Sequence, residues 1–159
     1  DKVIQWIMRE EGGVADVGDG MGITRYGQTS EWLERWGLPA PHSHEDAYIN
    51  YARWLEHTHL DTLCDADDML PIVVADFAIH AGERPAIKAL QEAVGVTADG
   101  IIGPKTLEAV DNADRNVIAH LVLATRIEHG GAVIRNNPQR AIYAKGWAAR
   151  WARQLRYLA

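Results

Sequence analysis

Three side chains near the amino terminus have types and spacing suited to breaking an acetal bond. Glu11 stands at the end of an apolar-periodic stretch, Asp19 follows eight residues on, and Thr24 five beyond that. Six glycines lie between Arg9 and Thr29, too many for a packed element and suited to a loop whose backbone approaches something closely. Glycoside hydrolysis needs a proton donor for the leaving oxygen and a second carboxylate, or a held water, on the other face of the sugar. Glu11 fits the donor, because the negative end of a helix dipole favours the protonated form of a carboxyl. Asp19 and Thr24 fit a pair that shares a water. On spacing alone, a solvated helix end at Glu11 and a turn aspartate at Asp19 account for the same residues.

The order of residues adds a resemblance. Glu11-Gly12-Gly13, an Asp-bearing loop with Asp16, Asp19 and Gly22, then Thr24 and Tyr26-Gly27-Gln28-Thr29 resemble the N-acetylmuramidases of glycoside hydrolase family 108, also described as secretion-activator proteins. The loop here is one residue shorter than the family pattern. Val14 stands for a Tyr, Met21 for a Gly, Arg25 for an Asn and Gln28 for an Ile. The resemblance implies Glu11 as catalytic acid, with Asp19 and Thr24 positioning water or substrate. It also implies substrate contacts from Asp16, Arg25, Tyr26 and Gln28.

The elements that must position these residues read as helices. Val3, Ile4, Ile7 and Met8 form an amphipathic stripe that ends at Glu11, with Gly12 as cap. Thr29 or Ser30 caps a short helix stopped by Gly37, and Ser43 opens another, which buries Ala47, Tyr51, Trp54 and Leu55. Leu70 to Ala81 is apolar nearly all round, as in a central helix. It carries Asp76 and His80 at a spacing that allows them to pair. Asp114 caps a long helix to about His129, with Val117, Ile118, Leu121, Val122 and Ile127 inward and Gly130-Gly131 breaking it. Six tryptophans sit at helical spacing beside apolar residues, which places most of them in the core.

A second resemblance runs from Asp76 to Gly82, through Ala86-Ile87-Lys88-Ala89-Leu90-Gln91 and Asp99-Gly100-Ile101-Ile102-Gly103-Pro104-Lys105-Thr106, to Lys145-Gly146-Trp147. These segments resemble the peptidoglycan-binding half that accompanies the muramidase half. His80 stands where an Asn is frequent, and the resemblance makes it a substrate contact. Most of the same residues also suit a plain scaffold, with a turn at Asp99-Gly100 and Pro104 opening a helix.

At 159 residues and 47% apolar content the chain is long enough for one domain with a proper core. A net charge of -6 gives no global signal for nucleic acid. From Arg135 onward every formally charged side chain is basic, including Arg140, Arg150 and Arg153. That end suits either an anionic wall polymer or a solvated helix face. Cys64 is alone, so an internal disulfide is excluded. His42, His44, His57 and His59 do not complete a metal-ligand pattern, so no metal or cofactor is expected. No uninterrupted apolar run approaches the roughly 18 residues of a membrane span. The expected fold is all-α and lysozyme-like, with two lobes sharing one core and a small β-hairpin between Asp16 and Thr29 over the cleft. Residues 1–72 form the catalytic lobe and 73–159 the wall-binding lobe. The expected function is cleavage of the β-1,4 bond between N-acetylmuramic acid and N-acetylglucosamine by a monomeric endolysin-type enzyme. It would stay in the cytoplasm until release and act on peptidoglycan, without nucleic acid or membrane as partner. A lytic transglycosylase and a non-catalytic wall-binding or secretion-assisting protein are the alternatives.

Overall fold

The structure, a computed structural model, describes residues 1–12, 14–16, 23–64 and 67–159, and for residues 14–16 and 23–25 it describes the backbone alone. The described chain is predominantly helical, as expected, and divides into two compact units, Asp1–Asp61 and Thr62–Ala159. The division expected after residue 72 would fall inside a helix that Pro71 helps to start.

In the first unit, α1 (Lys2–Glu11) buries Val3, Ile4, Trp6, Ile7 and Met8 and ends at Gly12, whose φ of 74° few other residues adopt. A hairpin follows, with β1 (Val14–Asp16) antiparallel to β2 (Ile23–Arg25) and Ala15 opposite Thr24. It starts earlier than the expected Asp16 and ends before Thr29. The Thr29 hydroxyl accepts from the Trp32 N–H at 3.2 Å, so the chain there is already capping α2 (Ser30–Trp36). Gly37, in the left-handed region, closes that helix. Ser43 and Asp46 form a reciprocal capping box at the start of α3 (His44–Thr58). As the periodicity predicts, α3 buries Ala47, Tyr51, Trp54 and Leu55 and packs against α1.

In the second unit, α4 (Leu70–Ala81) is buried at every position from Leu70 to Ala78. It packs with α5 (Glu83–Ala93) and α7 (Arg115–Asn136). The Asp99-Gly100 turn and α6 (Pro104–Asp111) are tied to α5 through one buried amide. Gln91 donates to the Asp99 carboxylate at 2.7 Å and to the Ile101 carbonyl at 3.0 Å, and accepts from the Gly100 N–H at 2.8 Å. The hydrogen bond from Gln91, helped by the Ile101 N–H, holds the Asp99 carboxyl below its usual range.

Four expectations for α7 and its surroundings are corrected. The helix runs straight through Gly130-Gly131, because Gly130 lies against the indole of Trp151 on α8 (Ala144–Leu158). A Cβ at Gly130 would stand 2.5 Å from the Trp151 ring, so the glycine serves close helix approach instead of a break. The buried face of α7 is Ile118, Ala119, Val122, Leu123, Arg126 and Gly130. Val117, Leu121 and Ile127 lie on the opposite side and are exposed. Of the six tryptophans only Trp6 and Trp54 are buried; the other four are partly exposed and flank clusters of rings. By length and mean hydropathy α7 is sufficient to cross a membrane, yet here it packs with α4, α5, α6 and α8.

The fourth correction concerns charge. Arg150, counted with the surface cations, is 6% exposed and donates through Nε and Nη2 to Oδ1 of Asp76. Arg126 of α7 donates to Oδ2, and Gln154 adds a bond to the same oxygen at 2.7 Å. Asp76 is wholly buried. Its carboxylate therefore joins α4, α7 and α8. Its expected partner His80 meets the backbone carbonyl of Asp76 at 2.9 Å and adds a favourable charge interaction with the carboxylate. Burial pushes the Asp76 carboxyl up, but the Arg126 and Arg150 guanidiniums outweigh it and hold the group below its ordinary 3.8.

Removing this charge leaves two guanidiniums facing a neutral group. Asp76→Asn should lower unfolding free energy by about 3–5 kcal/mol at neutral pH, measured by urea titration. Because the native group titrates below the unfolded one, its contribution is full above about pH 4 and is lost as pH falls through the lowered value. The variant should therefore lose part of the wild type's acid dependence.

Candidate active site

Glu11 is the last residue of α1 and is half-buried, and its Oε1 is shut off from solvent. The backbone that follows β2 lies directly on its side chain. A Cβ built at Gly27 would stand 2.5 Å from both Cβ and Cγ of Glu11 and 2.9 Å from the Tyr51 hydroxyl. Only a glycine permits that approach, and the φ of +79° requires one independently. Tyr26 precedes it at φ 55°, a left-handed conformation that a bulky residue adopts at a cost of about 1–3 kcal/mol. The Tyr51 hydroxyl donates to the Tyr26 carbonyl at 2.8 Å and so holds that turn in place. The seat of Glu11 is thus built from a helix end, a tight turn and a tyrosine from α3.

The other sequence-predicted residues fall into separate groups. Asp19 lies outside the described residues. Asp16, Thr24 and Arg25 are placed as backbone in β1 and β2, with Thr24 opposite Ala15. Tyr26 is partly exposed beside Glu11's turn, its ring edge-on to His44 at 5.8 Å. Gln28 is placed differently from the expectation of a substrate contact: it is 2% exposed, and its amide is consumed internally. Its Nε2 donates to the Ala47 carbonyl at 2.8 Å, and its Oε1 accepts from Asn50 at 2.9 Å. Asn50 also donates to the Pro39 carbonyl at 2.8 Å. Gln28 therefore fastens the Glu11 turn to α3. A polar residue with four hydrogen-bonding sites suits either role, and the sequence carried no sign of which partners it would meet. His80 belongs to the second unit and is exposed, 3.2 Å from an Arg126 nitrogen. Gly27 and Tyr51 are the positioning residues that spacing did not single out. Among the described residues, no group of three His, Cys, Asp or Glu side chains is placed to hold a metal ion.

The second unit also contains a cavity of about 70 Å³ between α4, α7, α8 and the 3₁₀ turn Pro138–Tyr143, with Trp147 and Trp151 in its wall.

Comparison with known proteins gives this arrangement a context. Residues 85–152 match a family model described as a predicted peptidoglycan domain. They overlap most of the stretch in which the second resemblance was seen. The solved structure of Brucella abortus SagA is similar over 99% of this chain and 92% of its own length, at 28% identity and a TM-score of 0.75. No curated protein matches the chain. The similarity supports the all-α, lysozyme-like class, and the matched domain supports peptidoglycan as a partner and an association with the cell wall.

The contact between Gly27 and Glu11 is open to a direct check. Gly27→Ala should destabilise the protein by about 1–3 kcal/mol, because the new methyl must displace the Glu11 methylenes in a backbone region that disfavours it. Chemical denaturation would read the loss. A variant as stable as the parent would mean the turn does not rest on Glu11.

Proposed function

We propose that this chain is a peptidoglycan hydrolase of the family 108 muramidase kind, which cleaves the β-1,4 bond between N-acetylmuramic acid and N-acetylglucosamine. The observation that carries this reading is the seat of Glu11. One carboxyl oxygen is withdrawn from solvent at a helix end, under a turn that only glycine can form. A general acid needs a fixed position within reach of the leaving oxygen, and a carboxyl whose methylenes are clamped by backbone is fixed. The peptidoglycan domain at residues 85–152 supports the choice of substrate.

In this reading Glu11 gives its proton to the glycosidic oxygen as the bond to the sugar carbon breaks. Asp19 and Thr24 hold a water on the other face. That arrangement inverts the configuration and sets the two carboxyls roughly 6.5–9.5 Å apart. Asp16, Arg25 and Tyr26 remain in the proposal as substrate contacts, whereas Gln28 serves to hold the turn. The protein acts on the wall after release from the cell that makes it. A binder without turnover is the competing reading, favoured by the same domain match.

Glu11→Gln separates the two. The change removes the proton donor and keeps the shape, so lysis of purified peptidoglycan in a zymogram should fall by at least about 10²-fold. Binding to walls should persist. Glu10, whose side chain is 4% exposed and 3.8 Å from Arg9, points about 100° away on the helix. Glu10→Gln should keep turnover in whatever fraction folds. Equal lysis by Glu11→Gln and wild type would remove Glu11 from the mechanism.

A further inference from the structure

The cavity in the second unit has a lining that suits one kind of ligand. Its wall carries Trp147 and Trp151 from α8, His129 from α7, His80 from α4 and Arg140 from the 3₁₀ turn. Among the described residues, no acidic side chain lines it. The aromatic rings continue outward along one helix edge. Tyr143, Trp147 and Trp151 follow at four-residue spacing, Tyr143 stacked on Trp147 at 6.1 Å and Trp147 tilted against Trp151 at 6.2 Å. Tyr143 is 47% exposed and Trp147 partly so. A stripe of rings left open to water presents flat, polarisable faces, and the C–H face of a pyranose is the polar-rimmed, apolar surface that matches them.

The cationic groups add the second half of the recognition. Arg140 is exposed at the rim, and its guanidinium has no hydrogen-bond or ion-pair partner among the described residues. A planar guanidinium beside two imidazoles, with no acid in the wall, attracts a carboxylate and can hold it by two parallel bonds. A volume of about 70 Å³ has room for several waters, or for a carboxylate and the carbons beside it. A sugar ring would then lie along the Tyr143–Trp147 stripe outside the cavity.

We infer that this pocket is a binding subsite for a carboxylate-bearing amino sugar, the sugar ring on Trp147 and the carboxylate at Arg140. The subsite rests on the peptidoglycan reading of the chain and not on Glu11 chemistry. It specifies which end of the polymer's repeating unit the second unit holds. Trp151 sets the depth of the pocket, because its indole is seated directly on Gly130.

Titration calorimetry and tryptophan fluorescence on the full chain test the assignment. The probes are a soluble glycan fragment freed of its peptides, whose N-acetylmuramic acid carries a free carboxylate, and a neutral N-acetylglucosamine oligomer of equal sugar length. The wild type should bind the acidic fragment about 10-fold more tightly than the neutral one. Arg140→Gln should erase that preference, and Trp147→Ala should weaken both ligands and abolish the fluorescence change. Both positions are partly exposed, so circular dichroism should show an unchanged fold. A preference for the acidic fragment that survives Arg140→Gln, or no saturable binding of either fragment by the wild type, would overturn the subsite. Turnover of the wild type on whole peptidoglycan is read separately. Binding as expected without turnover would sink only the hydrolase reading, and turnover without Arg140-dependent binding only the subsite.

Discussion

A wholly buried carboxylate bonded to two arginines is the constraint on which the second unit is arranged. Asp76 accepts from Arg126 and Arg150, so α4, α7 and α8 must meet at one point. Ions so deeply buried are costly unless each is paired and hydrogen-bonded. Gln154 satisfies part of the remainder, since it donates to Asp76 and accepts from Arg126 at 3.0 Å. The geometry this imposes has a consequence at the surface. α8 is held close enough to α7 for Trp151 to rest on Gly130, and the cavity walled by Trp147 and Trp151 lies beside that contact.

Glu11 is the contrasting acid. Asp76 is surrounded by guanidiniums and serves cohesion. Glu11 is half-buried, stands at a helix terminus, and is covered by the backbone of Gly27. A side chain that performs proton transfer must be held in a fixed position. The tight turn at Tyr26-Gly27, tied to α3 by the Tyr51 hydroxyl and by the bonds of Gln28 to Ala47 and Asn50, supplies that position. The strain in Tyr26 is offset by that bracing, a pattern common at functional sites.

Much of the first unit was legible in the sequence because local rules decide it. The stripe Val3-Ile4-Ile7-Met8, the Ser43-Asp46 box and the glycines at 12 and 37 act within a few residues, and each is where periodicity and capping place it. The misreadings share a different cause. Gly130-Gly131 reads as a break until a tryptophan from another helix is known to need the space. Arg150 reads as a solvated cation until Asp76 is found opposite it. Val117 and Leu121 read as core, although the face that meets α4 and α5 is the one carrying Ile118 and Val122. Gln28 reads as a ligand contact because its amide suits one equally well. All four depend on partners far away in the chain, which pattern alone does not reveal. At the candidate site the position of Glu11 at a helix end, before the Gly12 cap, was legible. Gly27's contact with Glu11 emerged only with the fold.

The central claim is that Glu11 protonates a glycosidic oxygen while water takes the sugar carbon. Digestion of purified peptidoglycan in oxygen-18 water, followed by mass spectrometry of the fragments, tests it most directly. The account predicts new reducing ends on N-acetylmuramic acid that carry one oxygen-18 atom each. Fragments that end in an unlabelled 1,6-anhydro sugar, or no fragments at all, would contradict it.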